Sequence, residues 1–525
     1  MGNPTPTKFP ERPKMGVSSG PGPKHSRKEY LRYHYPEHAG TPSQRQTMRK
    51  PPGPINWNAA FGLTWRHAAR QWFDPLSFTH EMARYGDLTF YRLFIHRAYQ
   101  INHPELIHEV LVTKARSFVK ERRQTNLLRK FAGDGILTTD GVDWVRHRRI
   151  LQPAFQPGQL PKLKALVAEE TEAFLDGWQE RDQVGANQEF VRLSLRVAAR
   201  ALFGSQPDGE LAEIEACMGT VSESILAAFT NPFPVPDWMP GTKARQGARA
   251  IAKLRDFLDT AIAQRRASSQ WGTDLLGCLL RANNSEDESS RLTAEQVRDS
   301  AAAMFFAGHH TVAACLTWTT LLLAQHPSVL DRLRQECSTE AYDNEPSLCE
   351  RVLKESMRMY PPAWVLFARQ AREPVELGGY TIARGAWIFI YPWVIHRDER
   401  FFPQPDRFDP ERFSVEGERR IPKGAYIPFG LGPHACIGTA MANTILSSIL
   451  PALVRRFDFQ LPPEQSPFRP QAVLSLRPSR EIFLRITEHA RQKARSFGEL
   501  CGPGVAHAVR PWGRGRNGAG LVHRR

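Results

Sequence analysis

The chain has 525 residues, 41% of them hydrophobic, enough for a large core and, by length alone, about two to four domains. Its formal net charge of +16 sits at the ends, because residues 1–50 and 491–525 carry +7 each and leave the body close to neutral. That distribution argues against a nucleic-acid-binding body, and seven cysteines without paired spacing argue against a disulfide framework and for a reducing, cytoplasmic compartment.

Residues 1–50 read as a disordered, basic, Pro/Gly-rich extension with no apolar stretch of a signal peptide or membrane anchor. Pro51-Pro-Gly-Pro54 opens the body, which is expected to run over 51–490. From about 160 to 280 the pattern is helical, with apolar residues such as Leu163, Leu166, Val167 and Phe174 at three- and four-residue steps. Thr293-Ala-Glu-Gln296 is a capping box that starts a long central helix. His326-Pro327 ends that helix near Gln325. Its apolar run, 301–324, is broken by Gly308, His309, His310 and several threonines, as suits a buried helix and not a membrane span.

A second helix is expected over about 346–360, stopped by Pro361-Pro362. Three short β-prone runs follow: Pro374–Leu377, Tyr380–Ile382 and Ala386–Ile390, separated by Gly378-Gly379 and Arg384-Gly385. A last helix runs from after Cys436 to about Phe457, and 491–525 reads as a basic, disordered tail. The fold class expected is mainly α with a small β region, α+β, with no internal repeat.

Four constellations carry chemistry. Phe429-Gly-Leu-Gly432-Pro-His434-Ala-Cys436-Ile-Gly438 sets one cysteine in a glycine-rich loop just before a helix, where the helix dipole favours a thiolate. A lone cysteine there, taken by itself, reads rather as a buried thiol in a turn. Glu355 and Arg358 share a helix face, which taken alone describes a solvent-facing ion pair of little worth. Trp144 and Arg148 place two donors one helical turn apart, or else a core Trp beside a surface Arg. Ala307-Gly308-His309-His310-Thr311 combines small residues, two imidazoles and a hydroxyl in mid-helix.

In content and order, Trp144-x-x-x-Arg148, Ala307-Gly308-x-x-Thr311, Glu355-x-x-Arg358, Pro410-Glu-Arg412-Phe413 and the cysteine loop resemble the cytochrome P450 family. The resemblance implies haem b held between the central helix and the cysteine loop with its following helix. It implies Cys436 as the iron ligand in a loop shaped by Phe429, Gly432 and Gly438. Trp144, Arg148, Arg369 and His434 would meet the two propionates, which need donors when buried. Glu355, Arg358 and Arg412 would form a buried structural triad. His396-Arg397-Asp398 resembles a family sequence and takes a structural role.

Across the haem, Ala307 and Gly308 would let the helix widen for dioxygen, and Thr311 would help deliver protons. His310 departs from the pattern, in which an acid usually stands. It either relays protons or packs against a neighbouring helix, and His309 packs or caps locally. The reaction implied is insertion of one oxygen atom of O2 into a C–H bond of a medium-to-large apolar molecule, a terpenoid, fatty acid or polycyclic metabolite. Pocket candidates are Phe305, Trp364, Val365 and Phe367, within 118–137, 229–238, 304–311 and 363–367. Electrons would come from NAD(P)H through a separate, acidic ferredoxin- or flavodoxin-type donor and its reductase. A monomer without membrane anchor is expected. The competing readings are a peroxide-driven or rearranging haem-thiolate enzyme, and a non-catalytic haem sensor.

Overall fold

In a computed structural model the described residues are 50–489, apart from 55–69, 72, 94–95, 205–210, 231–237, 240, 269–270, 273, 288–290, 340–345 and 466. The two basic tails expected to be disordered lie outside these residues, as does most of the 229–238 pocket stretch.

The helices are α1 (Pro75–Ala83), α2 (Pro104–His108), α3 (Arg122–Ala132), α4 (Gly141–Leu151), α5 (Leu160–Asp176), α6 (Ala186–Phe203), α7 (Leu211–Thr230), α8 (Lys243–Ala267), α9 (Leu275–Asn283), α10 (Ala294–Gln325), α11 (Pro327–Ser338), α12 (Leu348–Met359), α13 (Pro392–Ile395), α14 (Val415–Arg420) and α15 (Thr439–Arg456). The strands are β1 (Leu88–Leu93), β2 (His96–Ile101), β3 (Phe118–Lys120), β4 (Gln183–Gly185), β5 (Arg369–Ala371), β6 (Val375–Leu377), β7 (Tyr380–Ile382), β8 (Trp387–Ile390), β9 (Phe457–Gln460), β10 (Pro470–Ala472), β11 (Leu476–Pro478) and β12 (Phe483–Glu488). A five-stranded sheet has the order β1-β2-β8-β5-β3. Within it β2 runs parallel to β8, with Ala98 opposite Trp387, and the other pairs are antiparallel. A three-stranded sheet β4-β12-β9 and two ladders, β6-β7 and β10-β11, complete the β content.

The expected capping box is formed. Thr293 Oγ1 accepts from Gln296 N at 3.1 Å, and Gln296 Oε1 accepts from Thr293 N at 3.0 Å. The three β-prone runs are β6, β7 and β8, and Gly378 and Gly379 take the positive φ values, +56° and +77°, that a tight hairpin needs. The final helix forms despite Pro451 in its interior.

Helix α10 threads two hydrophobic cores. Its residues 312–323 belong to the core built from α5, α6, α11, α12 and α15, and its residues 297–305 to the core of α3, α6, α7, α8 and α9. A helix apolar on all sides must be buried, and no helix among the described residues is long and apolar enough to cross a membrane. Between the two cores lie Ala307 and Gly308, which join neither and are exposed. The third core lies under the five-stranded sheet and includes Val110 and Leu111.

Candidate active site at the cysteine loop and the central helix

Three backbone hydrogen bonds close the loop: Cys436 N to Phe429 O at 2.9 Å, Ala435 N to Gly432 O at 3.0 Å and Gly430 N to Ile427 O at 3.0 Å. Gly432 has φ +75°, and a Cβ there would stand 2.0 Å from the Leu111 carbonyl oxygen, so no side chain fits. Gly438 is different: its φ is −85° and a Cβ would make ordinary 3.8 Å contacts with Cys436 Sγ and Phe155. Its smallness keeps the sulfur open.

Cys436 is exposed between half-buried loop neighbours, so it borders an open recess beside the loop. Burial pushes its thiol up, while the Gly438 N–H, the Thr439 hydroxyl and the Arg148 guanidinium pull the other way and favour thiolate. Arg148 Nη1 donates to the Ala435 carbonyl at 2.9 Å and ties α4 to the loop.

Donors gather beside the recess. The Trp144 and His434 rings lie 4.0 Å apart at 36°. Arg369, 8% exposed, uses Nη1 on the Phe367 carbonyl at 2.9 Å. His434 Nδ1 is buried with no protein partner, and Nε2 is 3.8 Å from Asp140 Oδ1. Burial, then Arg369 and Lys120, hold the His434 imidazole down at a pKa of about 4. Lys120, which the motif reading passed over, is buried and pairs in register with Arg369. Arg369 and His434 thus bring buried donors beside the Asp140 carboxylate, an arrangement that suits further anions. Two haem propionates fit that need, and the thiol of Cys436 fits the iron.

On α10, Thr311 Oγ1 donates to the Ala307 carbonyl at 2.9 Å, and nothing lies within 4 Å of a Cβ built at Gly308. The widening implied at Ala307–Gly308 is absent: α10 is continuous α-helix through these positions, and room comes from small side chains. His309 is buried, donates Nδ1–H to the Phe305 carbonyl at 2.9 Å, and is held by burial at a pKa of about 4. It packs locally, as expected. His310 is also kept neutral, its pKa far below the usual value through burial and then His309. Its Nε2 lies 3.0 Å from Ser222 Oγ on α7, whose hydroxyl donates to the Met218 carbonyl at 2.8 Å. With that proton committed, Nε2–H donates to Ser222.

The pocket candidates divide. Phe305 is 3% exposed inside the second core, so it packs and does not line the recess; its neighbour Phe306 is half-buried. Trp364 donates its indole N–H to the Val473 carbonyl at 2.7 Å and stacks near Tyr391. Val365 and Phe367 are half-buried.

Glu355 and Arg358 are fully buried, not solvent-facing, with Nε–Oε2 at 2.7 Å and Nη2–Oε1 at 2.9 Å. Arg358 also donates to the carbonyls of His396 at 2.9 Å and Pro405 at 2.6 Å. Glu355 Oε1 accepts from Asp409 N at 3.0 Å and stands 3.4 Å from Arg412 Nε. His396 Nε2 in turn accepts from Ile427 N at 2.9 Å, just before the loop. This network joins α12 to the segment that enters the cysteine loop.

A family profile described as Cytochrome P450 matches residues 51–485. The chain is 32% identical over 432 residues to cyclooctatin synthase of Streptomyces melanosporofaciens, covering 79% of this chain and 92% of that one. It is 33% identical over 400 residues to cyclooctat-9-en-7-ol 5-monooxygenase of the same organism, covering 74% and 86%. It is 30% identical over 431 residues to pentalenene oxygenase of Streptomyces avermitilis, covering 80% and 94%. Together with the cysteine loop, the buried donors beside it and the exposed small residues of α10, these matches establish that the chain belongs to the cytochrome P450 family of haem monooxygenases.

Proposed function

We propose that this protein hydroxylates or epoxidises a cyclic terpenoid, with Cys436 as the residue that would hold haem iron. The observation that carries the reading is geometric: Cys436 is exposed in a loop closed by the Cys436–Phe429 and Ala435–Gly432 backbone bonds and tied to α4 by Arg148 on the Ala435 carbonyl. The terpenoid class is supported by the names of the relatives, which refer to cyclooctatin and pentalenene. The haem supplies the redox chemistry, for which a thiolate ligand favours O–O cleavage.

The chain's own residues do the rest. Trp144, Arg148, Arg369 and His434 anchor the propionates, and Phe429, Gly432 and Gly438 shape the loop under the iron. Ala307 and Gly308 leave space on the other face, where Thr311 exchanges its bond to the Ala307 carbonyl for one that delivers a proton. His310 acts as a clasp to α7 through Ser222. Glu355, Arg358 and Arg412 hold the entry to the loop. Val365 and Phe367 contribute apolar lining.

Electrons arrive from NAD(P)H through a separate ferredoxin- or flavodoxin-type donor. A groove of about 370 Å³ along α4, lined from Trp144 to Gln156 and including Arg148 and Arg149, supports docking of an acidic partner on this face. The reading includes a cytoplasmic monomer.

The test is turnover of cyclic terpene hydrocarbons with NADPH, a ferredoxin and its reductase under isotopically heavy dioxygen. One heavy oxygen atom in the product is expected. Turnover with hydrogen peroxide alone, and none with the ferredoxin system, would sink the monooxygenase mechanism in favour of a peroxide-driven one.

A further inference from the structure

Beneath the donor set lies a buried lysine that none of the roles above uses. Lys120 ends β3, whose inward-facing positions are Phe118 and Lys120, and it is 7% exposed. Three main-chain carbonyls take its ammonium protons: Ile136 at 2.6 Å, Leu137 at 3.1 Å and Thr139 at 3.0 Å. Burial lowers its pKa to about 7, with Asp140 opposing the shift and Arg369 adding to it.

The segment 133–140 is therefore wrapped around one cation. Thr139 Oγ1 donates to Gly135 O at 2.7 Å, and Asp134 N donates to Asp299 Oδ2 of α10 at 3.2 Å. The segment ends at Asp140, whose Oδ2 accepts from Lys120 N at 2.6 Å and whose Oδ1 accepts from Gly141 N at 2.9 Å, starting α4. Four and eight residues on, α4 carries Trp144 and Arg148. Asp140 also stands 3.8 Å from His434 Nε2.

We propose that Lys120 is a positioning residue for the haem pocket: by gathering the carbonyls of Ile136, Leu137 and Thr139, it folds segment 133–140 so that Asp140 starts α4 in the register that aligns Trp144, Arg148 and His434. Three carbonyl dipoles converge at its ammonium. Without a donor they would be buried, unsatisfied and mutually repulsive. This inference rests on the reading of Trp144, Arg148 and His434 as propionate donors.

Lys120→Met keeps the apolar stem and removes the donors; Lys120→Gln keeps two N–H groups. Both are compared with the unaltered haem protein by amide hydrogen exchange and by the rate of haem transfer to apomyoglobin. For Lys120→Met, which loses all three carbonyl bonds, exchange in 134–140 should rise about tenfold or more, with haem transfer several-fold faster. Lys120→Gln should fall between, and it decides by the same criteria should Lys120→Met yield no folded haem protein. Unchanged exchange with faster haem transfer would mean that Lys120 meets the haem directly, which overturns the proposal. Faster exchange with unchanged haem transfer would cut the link to the donors and also overturn it. Failure of the underlying reading is separate: Arg148→Leu and Trp144→Phe with haem transfer as in the unaltered protein would remove the donors while leaving the exchange result in place.

Discussion

The cysteine loop and the central helix are built by different means. On the cysteine side, position is set by backbone: two positive-φ glycines, a carbonyl of Leu111 against Gly432, and the buried Glu355–Arg358 network reaching Asp409 and Ile427. On the α10 side, position is set by side-chain bonds along and between helices: Thr311 to Ala307, His309 to Phe305, His310 to Ser222. A backbone-determined site tolerates few residues and leaves a strong motif. A side-chain-determined site can exchange an acid for an imidazole and keep its helix, so its motif is looser where its chemistry is most variable.

The contrast can be broken most severely at Cys436. Cys436→Ser should abolish the red-shifted Soret band of the reduced carbon monoxide complex and all turnover; a retained band would remove the ligand assignment. Next comes Arg358→Leu, which strands the fully buried Glu355 and two carbonyls. It should cost about 3–5 kcal/mol and most of the folded yield, read by thermal unfolding. A loss below about 1 kcal/mol, the worth of a surface pair, would contradict the burial of the network.

Acid separates the sides more gently. His309 and His396 are neutral in the fold, at about 4 and about 3, against 6.5 in the unfolded chain. The unfolded chain then binds more protons, so stability is complete above pH 6.5 and falls as pH drops towards 4, by up to about 1.4 kcal/mol per pH unit per group. His309→Gln should flatten that slope in urea unfolding measured across pH; an unchanged slope would show that His309 does not titrate on unfolding.

The smallest effects belong to α10. Thr311→Ala should leave folding within about 1 kcal/mol of the unaltered protein but divert several-fold more reductant into peroxide. Coupling equal to the parent would remove Thr311 from proton delivery. His310→Ala should weaken the α7 contact with little change in coupling, and a diversion of reductant into peroxide as large as that of Thr311→Ala would restore the proton-relay role.

The limits of reading from sequence follow the same division. Cys436, Gly432 and the Glu355–Arg358 pair stand out because their constraints are local: a torsion, a turn, a helix spacing. Even so, spacing alone favoured an exposed ion pair, and only burial by α12 and the 405–413 segment makes it structural. Phe305 looked like pocket lining because aromatic residues serve a core and a pocket equally well, and packing chose the core. Ser222 carried no signal at all, since nothing in a serine on a helix announces a histidine 88 residues away. Lys120 did carry one: strand alternation puts it on the same face as Phe118, inward, where a lysine needs acceptors.

By itself the sequence determined the family, the helical class with its small sheets, the capping box of α10 and the cysteine loop, because each depends on contacts or torsions within a few residues. The tertiary structure alone decided the contacts between distant elements: Arg148 on Ala435 beside Cys436, His434 against Trp144, Asp140 between Lys120 and His434, and, on the central helix, His310 held by α7. Those contacts join elements far apart in the chain. They depend on how helices pack, which the order of residues constrains only through the whole core.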